Sequence, residues 1–143
     1  MNAQIKAITN IAQNFRSALE ALATQGMLHN DFSDFPSGCC GCSSIALGVH
    51  INDKLGLSVE YVNAMRGHQS HGWLEHDGIL IDITADQFGD RPPVYVGPRD
   101  DWYSKWEIDE PLRHRAIIQV PEERQMLDSV LFHLGLANEA QEG

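Results

Sequence analysis

The chain has 143 residues, of which 43% are hydrophobic and 21% charged, so it holds enough apolar material for one domain with a buried core. Ten basic residues stand against twenty acidic ones, giving a net charge of −10. That charge argues against a nucleic-acid partner, because the phosphate backbone would be repelled and the basic residues form no local patch. We therefore expect a peptide or protein, or a small molecule, as the partner.

The sequence predicts neither export nor a membrane association. Its start, MNAQIKAITNIAQNF, lacks the basic stretch, apolar core and cleavage site of a signal peptide. No apolar run approaches the length that spans a bilayer. We expect a cytoplasmic protein whose thiols stay reduced. Residues 1–137 are predicted to form a single domain, and residues 138–143 a loose polar tail.

Hydrophobic spacing predicts two helices in the first part of the chain. Apolar residues recur at helical spacing over residues 3–25. A segment rich in turn-forming residues, 27–38, is expected to be a loop. The second helix is expected to start near Cys40 and to end at Gly56. It is apolar on most sides, which indicates a buried central helix.

The rest of the chain predicts a sheet and a final helix. Strands are expected at 58–65, 72–76, 79–84, 94–97 and 116–120. The Asp77-Gly78 pair between the second and third is a strong hairpin signal. A last helix is expected from Pro121, a favoured first-turn residue. This order predicts an α+β fold with an antiparallel sheet packed on the core helix.

Cys40 lies where a helix start would favour its thiolate. A cysteine nucleophile needs a stabilised thiolate, a base within reach and a group that orients the base. The N–H groups of a helix start favour negative charge, and Gly41 would let a substrate approach the backbone closely. Cys39 and Cys42 compete for the role. The pattern Phe-Pro-x-Gly-x-Cys-Gly favours Cys40, followed by Cys39 and then Cys42.

The predicted hairpin supplies a base, His71, and an orienting group, Asp82. A turn at residues 76–77 would place the two directly opposite each other, and a turn at 77–78 would make them diagonal neighbours on one face. A three-residue loop would place them on opposite faces. Asp82 lies in the apolar run 79–83, where an unpaired carboxylate would be costly, so we expect it to be paired.

Other residues near the hairpin are candidates for substrate binding. Trp73 alternates onto the face of His71 and is expected to form either a wall of the substrate cleft or ordinary core. Gln87 follows the hairpin and is expected either to cap a turn or to add a polar group to the site. The aromatic residues of the segment 101–110 are expected to be core or to cover one edge of the site.

The stretches FPSGCCGCSS and HGWLEHDGILIDITADQF resemble the transglutaminase-like branch of the papain-like cysteine enzymes, including bacterial transglutaminase-like proteins. The shared features are a cysteine that opens the core helix, a His-x-Trp-Leu-Glu strand and an Asp on the next strand. The resemblance implies Cys40 as nucleophile, His71 as base and Asp82 as third triad member, with no cofactor. Eleven residues separate the last two, fewer than expected for the larger transglutaminases.

The oxyanion hole of this family is incomplete in the sequence. Papain-like enzymes often place a side-chain amide before the cysteine, and no Gln or Asn stands in the few residues before Cys40. Backbone N–H groups at the helix start are expected to supply one donor. The second donor stays open.

The expected function is thiol-dependent acyl transfer through a covalent acyl-enzyme, most simply hydrolysis of a peptide or protein amide by a cysteine peptidase or deamidase. An amine in place of water would give a transglutaminase or acyltransferase. A non-catalytic peptide-binding or adaptor protein on the same fold is the alternative of another class.

A metal site formed by the three cysteines with His68 and His71 is a rival interpretation. Its ligand spacing is poor, because adjacent cysteines rarely both bind zinc. We expect no metal ligands. The oligomeric state is open.

Overall fold

The computed structural model describes residues 2–28 and 40–142, with side chains described for 2–28 and 41–135. Its helices are α1 (Ala3–Thr24), α2 (Cys40–Leu55), α3 (Asp101–Ser104) and α4 (Pro121–Glu142). Its strands are β1 (Glu60–Arg66), β2 (Gln69–His76), β3 (Ile79–Asp82), β4 (Tyr95–Pro98), β5 (Glu107–Ile108) and β6 (His114–Arg115). Two 3₁₀ turns cover Ala85–Phe88 and Glu110–Leu112.

The predicted α+β class is confirmed. The described strands form one antiparallel sheet in the order β4-β3-β2-β1-β5, and β6 also pairs with β1. The predicted helices are present with ends within a residue or two of expectation. The predicted loop lies almost entirely outside the described residues. The backbone of α4 continues through most of the segment 138–143 that was predicted as a tail. No described helix is long and apolar enough to cross a bilayer.

The expected strand over residues 116–120 is wrong. Strand β6 ends at Arg115. The N–H of Ala116 still donates to the carbonyl of Val59, at 2.9 Å, but no ladder continues because β1 begins after that residue. Ile117 is 48% exposed, so the apolar residues that predicted a strand do not all face a core.

Two different layers cover the two faces of the sheet. The helical layer is built by α1, α2 and α4 and includes Leu74 of β2. The aromatic cluster covers the other face and consists of Trp73, Phe88, Trp102, Tyr103 and Trp106. Successive residues of a strand point to opposite faces, so the odd-numbered residues of β2 face the aromatic cluster and the even-numbered ones face the helices.

Gly48 allows α2 to approach the sheet closely. A methyl group there would lie 2.5 Å from Cβ of Ala116 and 3.0 Å from Cγ2 of Val59. We expect Gly48→Ala to lower the free energy of unfolding by about 1–3 kcal/mol, because α2 must move away from the strands. Gly135→Ala in α4 is the control, since that methyl would meet nothing within 4 Å. The control should stabilise by about 0.5–1 kcal/mol in denaturant unfolding. An equal gain from Gly48→Ala would contradict this packing.

Candidate active site

The β2–β3 hairpin turns on Asp77-Gly78, as predicted. Both residues have positive φ, 49° and 77°, which is the type I′ geometry favoured by two-residue hairpin loops. This turn gives the register in which His71 and Asp82 are diagonal neighbours on one face. It was one of two registers that allowed the side chains to meet.

His71 and Asp82 form a buried hydrogen-bonded pair. Nε2 of His71 lies 2.6 Å from Oδ2 of Asp82, and both side chains are fully buried. The hydroxyl of Tyr103 donates to the same oxygen at 2.8 Å, and the backbone N–H of Thr84 donates to Oδ1 at 3.0 Å. Three donors therefore compensate a carboxylate that would be costly to bury alone. A proton on Nε2 leaves the imidazole lone pair on Nδ1, the nitrogen that can act as a base.

The hydrogen bond from Tyr103 to Asp82 was not predicted, although Tyr103 belongs to the aromatic segment that was expected to be core or to cover one edge of the site. Burial, and then the adjacent carboxylate of Asp82, raise the pKa of Tyr103 far above its ordinary value, so its hydroxyl remains a donor. Asp100 caps α3 by accepting hydrogen bonds from the backbone N–H groups of Trp102 and Tyr103, at 3.0 and 3.2 Å. An Asp before a helical turn is a sequence signature of such a cap. The contact between Tyr103 and Asp82 has no sequence signature.

Four rings of the aromatic cluster surround the imidazole of His71. The ring centroids lie 5.1 Å from it for Phe88, 5.6 Å for Trp106, 5.7 Å for Trp73 and 6.0 Å for Trp102. Trp73 is fully buried, and its indole N–H donates to a carboxylate oxygen of Glu75 at 3.0 Å. It therefore belongs to the buried core beside the imidazole. Trp102 and Trp106, expected to be core or to cover one edge of the site, are also buried in this cluster.

Gln87 lies beside the second nitrogen of the imidazole. Its Nε2 is 3.5 Å from Nδ1 of His71 and donates to the carbonyl of Thr84 at 3.0 Å. Gln87 belongs to the 3₁₀ turn Ala85–Phe88, which Arg16 of α1 ties to the helical layer through a two-pronged ion pair with Asp86. The polar group predicted after the hairpin is thus next to the imidazole.

The three cysteines are described to different extents. Cys39 lies outside the described residues. The backbone of Cys40 begins α2, as predicted, but its side chain also lies outside the described part. Cys42 is half-buried and packs against the helical layer, which favours a packing role for it.

Tyr61 lies between the start of α2 and strand β2. Its hydroxyl lies 3.6 Å from the position that a Cβ atom would take at Gly41, in the first turn of α2. The same hydroxyl and ring occupy the space that a methyl group would take at Gly72. The backbones of these two glycines therefore approach each other around one phenol. The start of α2 lies next to the residue that follows His71.

His71 lies on the face of the sheet opposite α2, because Leu74, three residues later, packs on α2. Strand β3 pairs with β2 only from Leu74 onward. His71 lies beyond this ladder, where Gln87 and Phe88 of the 3₁₀ turn lie beside its imidazole.

Two ligands of the rival metal site, the side chains of Cys39 and Cys40, lie outside the described residues. Within residues 2–28 and 41–135, no group of three or more His, Cys, Asp or Glu side chains is arranged to hold a metal ion. His68 is exposed in the β1–β2 turn, whereas His71 is buried and bonded to Asp82.

Comparisons with known proteins match the chain to no family model, no curated protein and no solved structure.

Proposed function

We propose that the chain is a thiol-dependent acyl-transfer enzyme of the transglutaminase-like and papain-like kind. In this proposal Cys40 is the nucleophile, His71 the base and Asp82 the group that orients the base. The observation that carries it is the buried bond between His71 and Asp82, at 2.6 Å, on a strand whose next residue after His71, Gly72, approaches the start of the helix that Cys40 begins.

The proposed reaction assigns a role to Cys40, to His71 and to the start of α2. Nδ1 of His71 removes the thiol proton of Cys40, and the thiolate attacks an amide carbonyl. N–H groups at the start of α2 stabilise the oxyanion. The imidazolium returns the proton to the leaving amine, the C–N bond breaks and an acyl-enzyme forms. Water activated by the same imidazole then releases the acid and restores the thiol.

Hydrolysis of a peptide or protein amide is the preferred outcome. Water needs no second binding site in the protein. Hydrolysis requires only that water can reach the acyl-enzyme. An amine acceptor in place of water would make the same triad a transglutaminase or acyltransferase. The acidic chain, with its net charge of −10, favours peptide or protein substrates over nucleic acids.

A generic acyl donor tests the proposal without knowledge of the natural substrate. With p-nitrophenyl acetate we expect a burst of nitrophenolate and one acetyl group on Cys40, located by peptide mass spectrometry. The burst should be absent from Cys40→Ala and retained in Cys42→Ala, the matched control. Acetylation of Cys40→Ala at the wild-type rate would exclude Cys40 as the nucleophile.

A non-catalytic peptide-binding protein is a second candidate, and one observation favours it. His71 and Asp82 are both 0% exposed, as in a structural pair that only stabilises the fold. This candidate predicts no acetylation of Cys40 and a thiol reactivity that does not depend on His71. Calorimetric titration with a peptide library would then show binding without turnover.

A further inference from the structure

We propose that Arg66 makes the site selective for substrates that carry a carboxylate next to the scissile amide. This inference rests on the proposed function, because it names the substrate class of that same site. The carboxylate is that of an acidic side chain or of a chain terminus.

Arg66 lies beside the proposed base on the same face of the sheet. It is the last residue of β1 and pairs with Gln69 of β2, and His71 follows two residues later. The two side chains are therefore diagonal neighbours across adjacent strands, within reach of long side chains. Asp82 approaches His71 from the strand on the other side, so the imidazole lies between a carboxylate and a guanidinium.

The guanidinium of Arg66 is held in place by the aromatic cluster. Its Cζ lies 4.7 Å from the ring centre of Trp106, 5.6 Å from that of Trp102 and 5.7 Å from that of Phe88. The same three rings contact the imidazole of His71. The Oε1 atom of Gln69 accepts a hydrogen bond from Nη2 at 2.9 Å. Arg66 thus presents an ordered cation at the edge of the proposed site.

Within the described part of the chain, Arg66 has no carboxylate partner of the kind that comparable arginines have. Arg16, Arg91 and Arg113 each form ion pairs at 2.7 to 2.9 Å with described Asp or Glu side chains. Among the described residues, Arg66 contacts only a neutral amide and aromatic rings. In a chain with twice as many acidic as basic residues, this leaves its charge available to an anionic ligand. A guanidinium fits a carboxylate through two parallel hydrogen bonds.

Two further donors lie in the layer that Arg66 covers. The indole N–H groups of Trp102 and Trp106 are buried and have no acceptor in the part of the chain that the structure describes. Buried donors of this kind are normally satisfied. A carboxylate bound at Arg66 would bring acceptor oxygens to this layer, whereas a cation would not.

Two alkylating agents that differ in charge test this inference directly. Iodoacetate carries a carboxylate and iodoacetamide is neutral. Both alkylate the same thiolate: the sulfur bonds to the CH₂ carbon and iodide leaves. We expect Arg66→Gln to lower the ratio of the Cys40 rates, iodoacetate over iodoacetamide, by roughly 3- to 30-fold. Because both reagents react with the same thiolate, their ratio cancels any change in the reactivity of the thiolate itself. Arg66→Lys, which keeps the charge, should retain most of the ratio.

Arg115→Gln is the matched control for net charge. Arg115 is exposed and pairs with the first residue of β1, whereas Arg66 is the last, so about 20 Å separates them along the strand. A ratio that is unchanged in Arg66→Gln, or that falls equally in Arg115→Gln, would overturn the role of Arg66 while His71-dependent alkylation still supports the enzyme. An iodoacetamide rate that does not depend on His71 would instead remove the proposed function, and this inference with it.

Discussion

Asp82→Asn is expected to slow acetylation of Cys40 by about 10³- to 10⁴-fold, because it forces the imidazole into the wrong tautomer. An amide has one acceptor oxygen. If that oxygen keeps the backbone N–H of Thr84, the amide N–H₂ faces Nε2 of His71 and the hydroxyl of Tyr103, both of which are donors to the carboxylate. The proton then moves from Nε2 to Nδ1, where it blocks the base.

The same substitution should lower the free energy of unfolding by about 1–3 kcal/mol for each buried donor left without an acceptor. Tyr103→Phe is the control, since it removes one donor and keeps the carboxylate and the tautomer of His71. Stopped-flow release of nitrophenolate measures the first effect and denaturant unfolding the second. A full burst rate in Asp82→Asn would show that the orientation of His71 does not limit the chemistry.

Arg16→Met should cost at most about 3–5 kcal/mol of unfolding free energy, because it removes a buried guanidinium and leaves its partner carboxylate, which is 23% exposed, unpaired. Arg16 is only 6% exposed. Its Nη1 donates to the carbonyl of Ile83 at 2.6 Å and to Asp86 at 2.8 Å, and Nη2 donates to Asp86 at 2.7 Å. The arginine thereby fixes the end of β3, and with it the turn that carries Gln87, to α1.

Glu20→Gln is the control, because Glu20 forms a second, exposed ion pair with the same arginine. Glu20 contacts Nε of Arg16 at 2.7 Å, but its side chain is 52% exposed, so its loss should cost at most about 1 kcal/mol. Urea unfolding of both variants gives the comparison. Equal losses from the two substitutions would contradict the account of Arg16 as a tie between the helix and the turn.

The local parts of the site were predictable because each depends on a short sequence rule. The Asp77-Gly78 turn sets the register of the hairpin, and that register brings His71 to Asp82. The apolar neighbours of Asp82 indicated that its carboxylate is buried and paired. A segment that is apolar on most sides predicted a buried helix that starts near Cys40.

The missed parts depend on contacts between distant segments. The hydroxyl of Tyr103 reaches Asp82 from a segment 21 residues away, and no local pattern encodes that contact. The very short elements α3 and β5 give no periodicity to detect. Apolar residues over 116–120 resembled a strand, but β1 begins only at Glu60, opposite Arg115, so they have no strand to pair with. The place of Arg66 beside His71 follows only from the register of β1 with β2.

The rate of Cys40 alkylation by iodoacetamide against pH, followed by peptide mass spectrometry, tests the central claim most directly. His71→Gln is the comparison, since the amide still donates to Asp82 but cannot take the thiol proton. The proposed pair predicts a reactive thiolate that persists well below about pH 7 in the wild type and is lost in the variant. Reactivity that rises only near about pH 8.5, the ordinary range of a cysteine thiol, and is the same in both proteins would contradict the proposal.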